Sequence, residues 1–480
     1  MVYGGALAAT KLIALITFPI LTREMTVDQY GTFDFYLSLS TLTTILIVFG
    51  QDSAIGRFFF DCETEDEKRA LVSQSFLLQC SLVGVLIPVG LLLSSAAEPL
   101  LPETSDSSRL FSLALAQVPF YLMLGFTQNL LKWTFEKWKF LIISLGFAAC
   151  NSLLLVSLAL LKASVADLLT VGVGVGALFA VICLYVVRSW LIWPADLKFL
   201  KRLLPFALPV GVLSVIGVLS PVVERLIISD RLGLDHLGIY AAAVKVAMLI
   251  ELLIQSFQTA WGPYAYSTYQ EENSQEMFNL IIKIFTLLAC LASLGIGLLS
   301  YPLVVVLASE KYSAAAGLIL PLTMALCIQG VSWMTGLGIS LSKKTHLYVY
   351  AYSLGLLGAV GTMYASIDNF GTMGVAFGVL AGQVVRGIAM TALAQAVYPI
   401  CWQFGKILVL LIPTFMGMAA GAAMWVLDAS VTSIALMLLM VAASLLFLSG
   451  VYIFDQREKQ ILSGVKAIGV KSANATDSGL

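Results

Sequence analysis

Residues 222–248 read VVERLIISDRLGLDHLGIYAAAVKVAM, and the chain on either side is almost wholly apolar. Two apolar runs flank a short polar turn, so the stretch predicts two membrane-spanning helices joined outside the hydrocarbon. Yet Glu224, Arg225 and Lys245 lie within the apolar runs. A charge at the bilayer centre costs about 2.5–3.5 kcal/mol on insertion scales, so it faces a water-filled cavity or a partner. What surrounds these three residues decides how the whole chain is read.

The stretch is representative of its chain. Of 480 residues, 59% are hydrophobic and 11% charged, and mean hydropathy is +0.94. A soluble globular chain carries about 25% charged residues. The composition therefore implies an all-α polytopic membrane protein. A net charge of −1 provides no field for nucleic acid. The seven cysteines show no CxxC. Cys80, Cys150, Cys183, Cys290 and Cys327 fall in apolar segments and read as small buried hydrophobes. His236 and His346 are far apart, which argues against a histidine metal site or a Ser/His/Asp triad. No metal, cofactor or catalytic residue is expected. The N-terminus lacks a basic n-region and a small-residue cleavage site, so it reads as a retained first span.

Apolar stretches of about 18–25 residues qualify as spans. Fourteen fit: 3–22, 31–56, 71–97, 110–131, 140–161, 168–187, 205–227, 239–262, 281–301, 317–340, 347–367, 372–395, 407–427 and 433–454. Loops after even-numbered spans, with the tail, hold 18 Lys/Arg when Lys283 at the edge of span 9 is counted with them, against six after odd-numbered spans when Arg225 near the end of span 7 is counted there; Lys11, Lys245 and Arg386 fall deeper within spans. By the positive-inside rule this places both termini in the cytoplasm of a multi-pass inner-membrane protein. RSWLIWPADLKFLKRLLPF (188–206) reads as an amphipathic segment on the cytoplasmic face, because Trp190, Trp193, Leu197 and Leu200 recur near helical spacing beside Lys198, Lys201 and Arg202. The expected organisation is a six-helix lobe over 1–188, a linker over 189–204, a second six-helix lobe over 205–400, an extra helix pair over 401–455, and a flexible cytoplasmic tail over 456–480.

Two matches suggest that the lobes are repeats. LTREMTVDQYGTF (21–33) aligns with ISDRLGLDHLGIY (228–240) at an offset of 207, pairing Asp28 with Asp235, Gly31 with Gly238 and Phe33 with Tyr240. FEKWKFLII (135–143) meets LSKKTHLYV (341–349) at an offset of 206. Six spans per half is an even number, so the repeats are parallel.

Intramembrane charge is concentrated in the first two spans of each half. Lys11 lies in span 1. Asp34, Ser38, Thr41 and Asp52 follow one face of span 2. Glu224 and Arg225 lie in span 7, and Lys245 and Glu251 in span 8, where Gln255 and Gln258 continue a polar stripe from Glu251. Spans 3–6 and 9–11 read as nearly free of polar residues. The four charged helices would line a central cavity. Plainer alternatives remain: Lys11 snorkels to an interface, Glu224 and Arg225 sit at the outer interface, and Lys245 makes a structural ion pair with Asp34 or Glu251. Arg386 reads as structural and Asp428 as solvated. Span 7, with Pro209, Pro221, Gly211 and Gly217, reads as the helix that bends. VGVGVGALFA (171–180) has a nucleotide-loop look but lies within a span with no strand before it, so it reads as close helix packing.

The run ERLIISDRLGLDHLGIYAAAVKVA resembles the span 7–8 signature of the bacterial polysaccharide (O-antigen type) flippases of the multidrug/oligosaccharidyl-lipid/polysaccharide exporter superfamily. Their acid-Arg pair and Gly-x-Tyr-x-x-Ala-x-Lys/Arg run fall on Glu224, Arg225, Gly238, Tyr240, Ala243 and Lys245, with Glu where Asp is commoner. AWGP (260–263), LTREMTVDQYGTF and GQDSAIGRFF (50–59) are similar to further family turns, on Arg23, Tyr30, Gly31, Gly50 and Arg57. The resemblance implies two six-helix lobes around a central cavity plus two C-terminal helices. It implies translocation of a polyprenyl-diphosphate-linked oligosaccharide, with the lipid bilayer and possible polysaccharide polymerase machinery as partners. It also implies cavity cations at Lys11, Arg225, Lys245, Arg57 and Arg23, with acids at Asp34, Asp52, Glu224 and Glu251 for neutralisation or ion coupling. A cation-coupled multidrug antiporter of the same superfamily is the main alternative. A membrane polymerase or ligase would want a large outer loop rich in Arg and His, which the chain lacks.

Overall fold

The computed structural model describes residues 2–104, 106–193, 196–427, 429–456 and 458. Asp428 and nearly all of the expected tail lie outside the described residues. Among the described residues nineteen α-helices follow in order. The first half holds α1 (Val2–Glu24), α2 (Val27–Val48), α3 (Gln51–Phe58), α4 (Glu65–Leu92), α5 (Ser94–Ala97), α6 (Ser107–Trp133), α7 (Lys137–Leu160) and α8 (Val165–Val187). The second holds α9 (Lys198–Arg231), α10 (Leu234–Ala247), α11 (Ile250–Thr268), α12 (Ser274–Leu298), α13 (Ser300–Leu307), α14 (Ala315–Thr335), α15 (Leu337–Leu341), α16 (His346–Phe370) and α17 (Thr372–Val397). The pair α18 (Phe404–Val426) and α19 (Val431–Leu448) closes the chain. No strand occurs among the described residues.

Each predicted span coincides with a helix. Twelve helices are long and apolar enough to cross a membrane, and α10 with α11 makes a thirteenth span bent by 44°. The remaining predicted span, α16, has 25 residues, or about 37 Å at 1.5 Å per residue. Its length suffices, but Tyr348, Tyr350, Tyr352, Tyr364 and several hydroxyl residues make it less apolar than the others. Local sequence sets the helix starts. Ser164 Oγ accepts the Asp167 amide at 3.2 Å while Asp167 Oδ2 accepts the Ser164 amide at 3.0 Å, a capping box opening α8. Thr64 Oγ1 accepts the Glu67 amide at 3.2 Å at the start of α4, which has three acids in its first turn.

The two halves pack alike. The fourth span of each is the most enclosed of its lobe: over half of the best window in Ser107–Trp133 is buried, and 83% of that in Ala315–Leu341. Around α6 gather α2, α4, α7 and α8, and around α14 gather α10, α12, α17 and α18. The repeat recurs in the backbone. Phe135 and Lys343, in equivalent turns, have φ of 59° and 60°; Lys162 and Gly371, in the next equivalent pair, have 56° and 55°.

Helix α2 runs along the seam between the lobes. Near its start it meets α10, where a Cβ on Gly31 would lie 2.5 Å from the Gly238 nitrogen and one on Gly238 would lie 2.0 Å from the Val27 carbonyl oxygen. The two glycines aligned by the repeat thus touch each other. Beyond its end, a Cβ on Gly50 would lie 2.5 Å from the Ala207 carbonyl oxygen of α9. Gly50 also has φ of 76°, a left-handed conformation that suits glycine. At the α1–α2 turn, Arg23 donates to the Val306 carbonyl at 2.6 Å, and Lys311 donates to the carbonyls of Arg23 and Met25. Partial burial, with Lys162 nearby, holds the Lys311 ammonium below its usual range despite Glu24.

Two expectations need correction, and one feature was not expected. The linker is not wholly separate from the second lobe, because residues 198–204 are the first turns of a 34-residue α9 that runs on through Pro205, Pro209 and Pro221. A 44° bend falls in span 8. There Leu249 and Glu251 donate three residues back, to Val246 and Met248, tightening the turn between α10 and α11 without a proline. Lys283, counted above with a loop, lies inside α12 with no exposed surface, paired to Glu458 at 2.5 Å and donating to Gln403 at 3.1 Å.

Candidate functional site between the lobes

The charges of the opening stretch converge on the seam. Asp34 of α2 is buried, and its Oδ2 accepts two bonds from Arg225 of α9, from Nε at 2.8 Å and Nη2 at 2.7 Å. Arg225 Nη1 donates to the Pro221 carbonyl at 2.9 Å. Lys245 of α10 lies 3.7 Å from the other Asp34 oxygen. One acid from the first lobe is therefore held by two cations from the second. The two cations differ. The Arg225 side chain is 6% exposed and spent on Asp34, whereas that of Lys245 is 45% exposed. After Asp34 is neutralised by Arg225, the positive charge left over sits on the accessible ammonium.

Glu224 and Arg225 are adjacent, so successive side chains diverge by about 100° on a 3.6-residue helix. Both are buried, and they do not form an outer-interface pair. Glu224 turns into the second lobe, where its two carboxylate oxygens accept from Ser220 at 2.9 Å and Tyr240 at 2.8 Å. Hydrogen bonds to a charged group are worth about 1.5–3 kcal/mol. Tyr240→Phe should therefore lower stability by about 2 kcal/mol, read as an unfolding midpoint shift. An unchanged midpoint would mean that Glu224 finds another donor.

Lys11 donates to Gln255 Oε1 at 2.5 Å, and Gln255 Nε2 donates to Glu251 Oε2 at 3.3 Å. This relay joins span 1 to span 8 below the bend. Lys11 is exposed, so it is a second accessible cation. Glu251 also borders a cavity of about 370 Å³ inside the second lobe, together with Glu224, Gln329, Tyr352, Gln383 and Arg386. Arg386 thus shares a cavity lining with polar groups. Its guanidinium stacks over Tyr352 at 4.7 Å, and its Nε has no hydrogen-bond partner.

The other candidates lie elsewhere. Asp52 does not share the Asp34 face, because Phe49 adopts the left-handed conformation and ends α2. Asp52 points into the first lobe, where Oδ2 accepts Asn129 at 2.7 Å. Arg57 lies over the rings of Phe58 and Phe206, and Arg23 is held at the α1–α2 turn. Spans 3–6 are not free of polar groups either: Gln79, Gln117 and Asn151 carry buried oxygens without partners.

Comparison with known proteins gives the family and the fold. A family model described as polysaccharide biosynthesis protein matches residues 1–268. The chain belongs to this family. The Haemophilus influenzae Lsg locus putative protein 1 is 21% identical over 277 residues, which cover 55% of this chain. The chain spans 64% of the length of that curated relative. Among solved structures, the lipid II flippase MurJ in an inward closed conformation superposes with a TM-score of 0.69 at 12% identity, covering 93% of this chain and 99% of that one. An inward-facing multidrug resistance MATE transporter of the MOP superfamily gives 0.62 at 14% identity, covering 84% and 95%. This polysaccharide biosynthesis protein therefore has a MurJ- and MATE-like transporter fold.

Proposed function

We propose that this polysaccharide biosynthesis protein flips a polyprenyl-diphosphate-linked oligosaccharide from the cytoplasmic to the outer leaflet of the inner membrane by alternating opening of its two lobes. The bias of basic residues supports cytoplasmic termini, and a downstream polysaccharide polymerase would use the product. The observation that carries the reading is the surplus accessible cation at the seam, Lys245, with Arg225 already spent on Asp34. A compact ammonium suits a phosphate as a point charge, and low dielectric strengthens the attraction. An arriving diphosphate competes with Asp34 for Lys245 and biases the seam to rearrange. The sugars and diphosphate follow the polar path while the lipid tail stays in about 30 Å of hydrocarbon. The drug-antiport reading is weaker at this site, because Asp34 already faces two cations and offers a cationic drug no free acid.

Transbilayer movement of a polyprenyl-diphosphate oligosaccharide in vesicles tests this. Lys245→Gln should slow movement at least tenfold while the protein keeps its unfolding midpoint, and Lys245→Arg should retain part of the rate. Export of a cationic dye by the wild type, with no movement of any lipid-linked glycan, would refute the proposal.

A further inference from the structure

A second cavity, inside the first lobe, opens onto the seam. It measures about 280 Å³ and shares Asp34 and Lys245 with the ion cluster. Its polar wall is uncharged. Gln117 and Tyr121 of α6 stand one turn apart, facing Asn151 and Ser152 of α7. Gln117 is 1% exposed. Its Nε2 is used by the Leu113 carbonyl at 3.3 Å, and its Oε1 has no donor. Asn151 Oδ1 has none either. A buried polar atom left unpaired costs about 1–3 kcal/mol, so two acceptors retained on one wall suggest a ligand that brings hydrogens.

Gly172 explains how the wall is built. A Cβ there would lie 2.2 Å from Gln117 Oε1 and 3.0 Å from the Tyr121 hydroxyl. Only a glycine lets the carboxamide and the phenol lie against the α8 backbone. The glycine run over 171–176 is thus more than general helix packing at this position. Aromatic residues Phe18, Tyr30 and Phe33 supply the apolar walls. Ligand pockets run from roughly 300 to 1,000 Å³, so this one suits a single ring and not a whole glycan.

We infer that this cavity holds the first sugar ring of the lipid-linked glycan, with its hydroxyl or acetamido hydrogens donated to Gln117 and Asn151 while the diphosphate sits at Lys245. The inference rests on the flippase reading and assigns a glycan subsite within it. A sugar is the class that fits: it is neutral, donates several hydrogens, and arrives covalently next to a diphosphate.

The test measures affinity for two kinds of probe by the purified full chain in nanodiscs. One is bare polyprenyl diphosphate; the other carries one glucose, galactose or N-acetylglucosamine residue. The wild type should bind at least one sugar-bearing probe about tenfold tighter than the bare lipid. Gln117→Leu, which removes an unpaired polar atom and should not unfold the lobe, should reduce that preference to less than twofold and leave bare-lipid affinity unchanged. Gly172→Ala should do the same by displacing the carboxamide. A Gln117→Leu protein that keeps the tenfold preference would overturn the inference. So would a wild type that binds the bare lipid but prefers no sugar, or sodium-dependent protection from unfolding that Gln117→Leu abolishes without any sugar effect. Failure of both probes to bind the wild type would instead refute the flippase reading itself.

Discussion

Arg225→Ala should destabilise the protein by about 3–5 kcal/mol, the usual loss when one partner of a buried ion pair is removed. Asp34 would be left buried, with Lys245 at 3.7 Å as its remaining cation. The loss is mainly the cost of the stranded carboxylate, so the double variant Arg225→Ala, Asp34→Asn should recover much of it. Unfolding of the four proteins of this cycle, followed by tryptophan fluorescence in one detergent, measures the coupling directly. Two losses that simply add would mean that the pair does not hold the seam. The prediction has a functional side. A buried pair is weak evidence for stability, since a packed apolar pair is often as good. Here Asp34 belongs to one lobe and Arg225 to the other, so the pair forms only when α2 and α9 are apposed. On the proposed reading the pair specifies that arrangement, and Lys245 is where a ligand would enter the balance.

How much of this was legible in the sequence depended on the size of the physical signal. A charge inside an apolar run carries a large insertion cost, and Asp34, Arg225 and Lys245 were legible for that reason. So was the need for separate partners for Glu224 and Arg225, because neighbours on a helix diverge. Hydropathy located a helix at each predicted span, and the repeat alignment paired Gly31 with Gly238, whose contact only the fold shows. Neutral amides give a much weaker signal. Gln117, Asn151 and Gln79 are single polar residues in long apolar segments, and only packing shows that their oxygens are buried within the first lobe. Arg386 was visible as a charge, but the polar groups of its cavity come from α9, α10, α11, α14 and α16, and no single segment reveals them. The misassigned face of Asp52 has a local cause: Phe49 takes a left-handed φ of 38°, a conformation that a phenylalanine does not advertise. The bend at Met248–Leu249 likewise lacks a proline, while three prolines in α9 fit inside one helix.

Gly238→Leu should drive the lobes apart at the α1–α2 end. The obstacle to a new side chain is backbone: the Val27 carbonyl oxygen at 2.0 Å and its carbon at 2.7 Å from the Cβ. No flexible side-chain end can swing away, so relief requires α2 and α10 to separate. Overpacking of this kind costs about 1–3 kcal/mol, which multiplies the ratio of two conformers by roughly 5–150. Spin labels at Asp28 and Asp235, in a chain whose native cysteines have been replaced, should report a distance several ångströms longer than in the parent. On the proposed flippase reading, transbilayer movement of the lipid-linked glycan should fall by tenfold or more, because one of the two alternating states it invokes would be disfavoured. The unfolding midpoint should fall far less than for Arg225→Ala, since separation relieves the clash. Gly217→Ala is the matched control, as a Cβ there meets nothing within 4 Å, and it should leave distance and rate unchanged. A Gly238→Leu protein with the parent's distance and rate would show that this contact is not on the transport path. The contact joins the two glycines that the sequence alignment pairs, one from each half of the chain, so relief of the clash must move α2 against α10 and cannot be confined to one half.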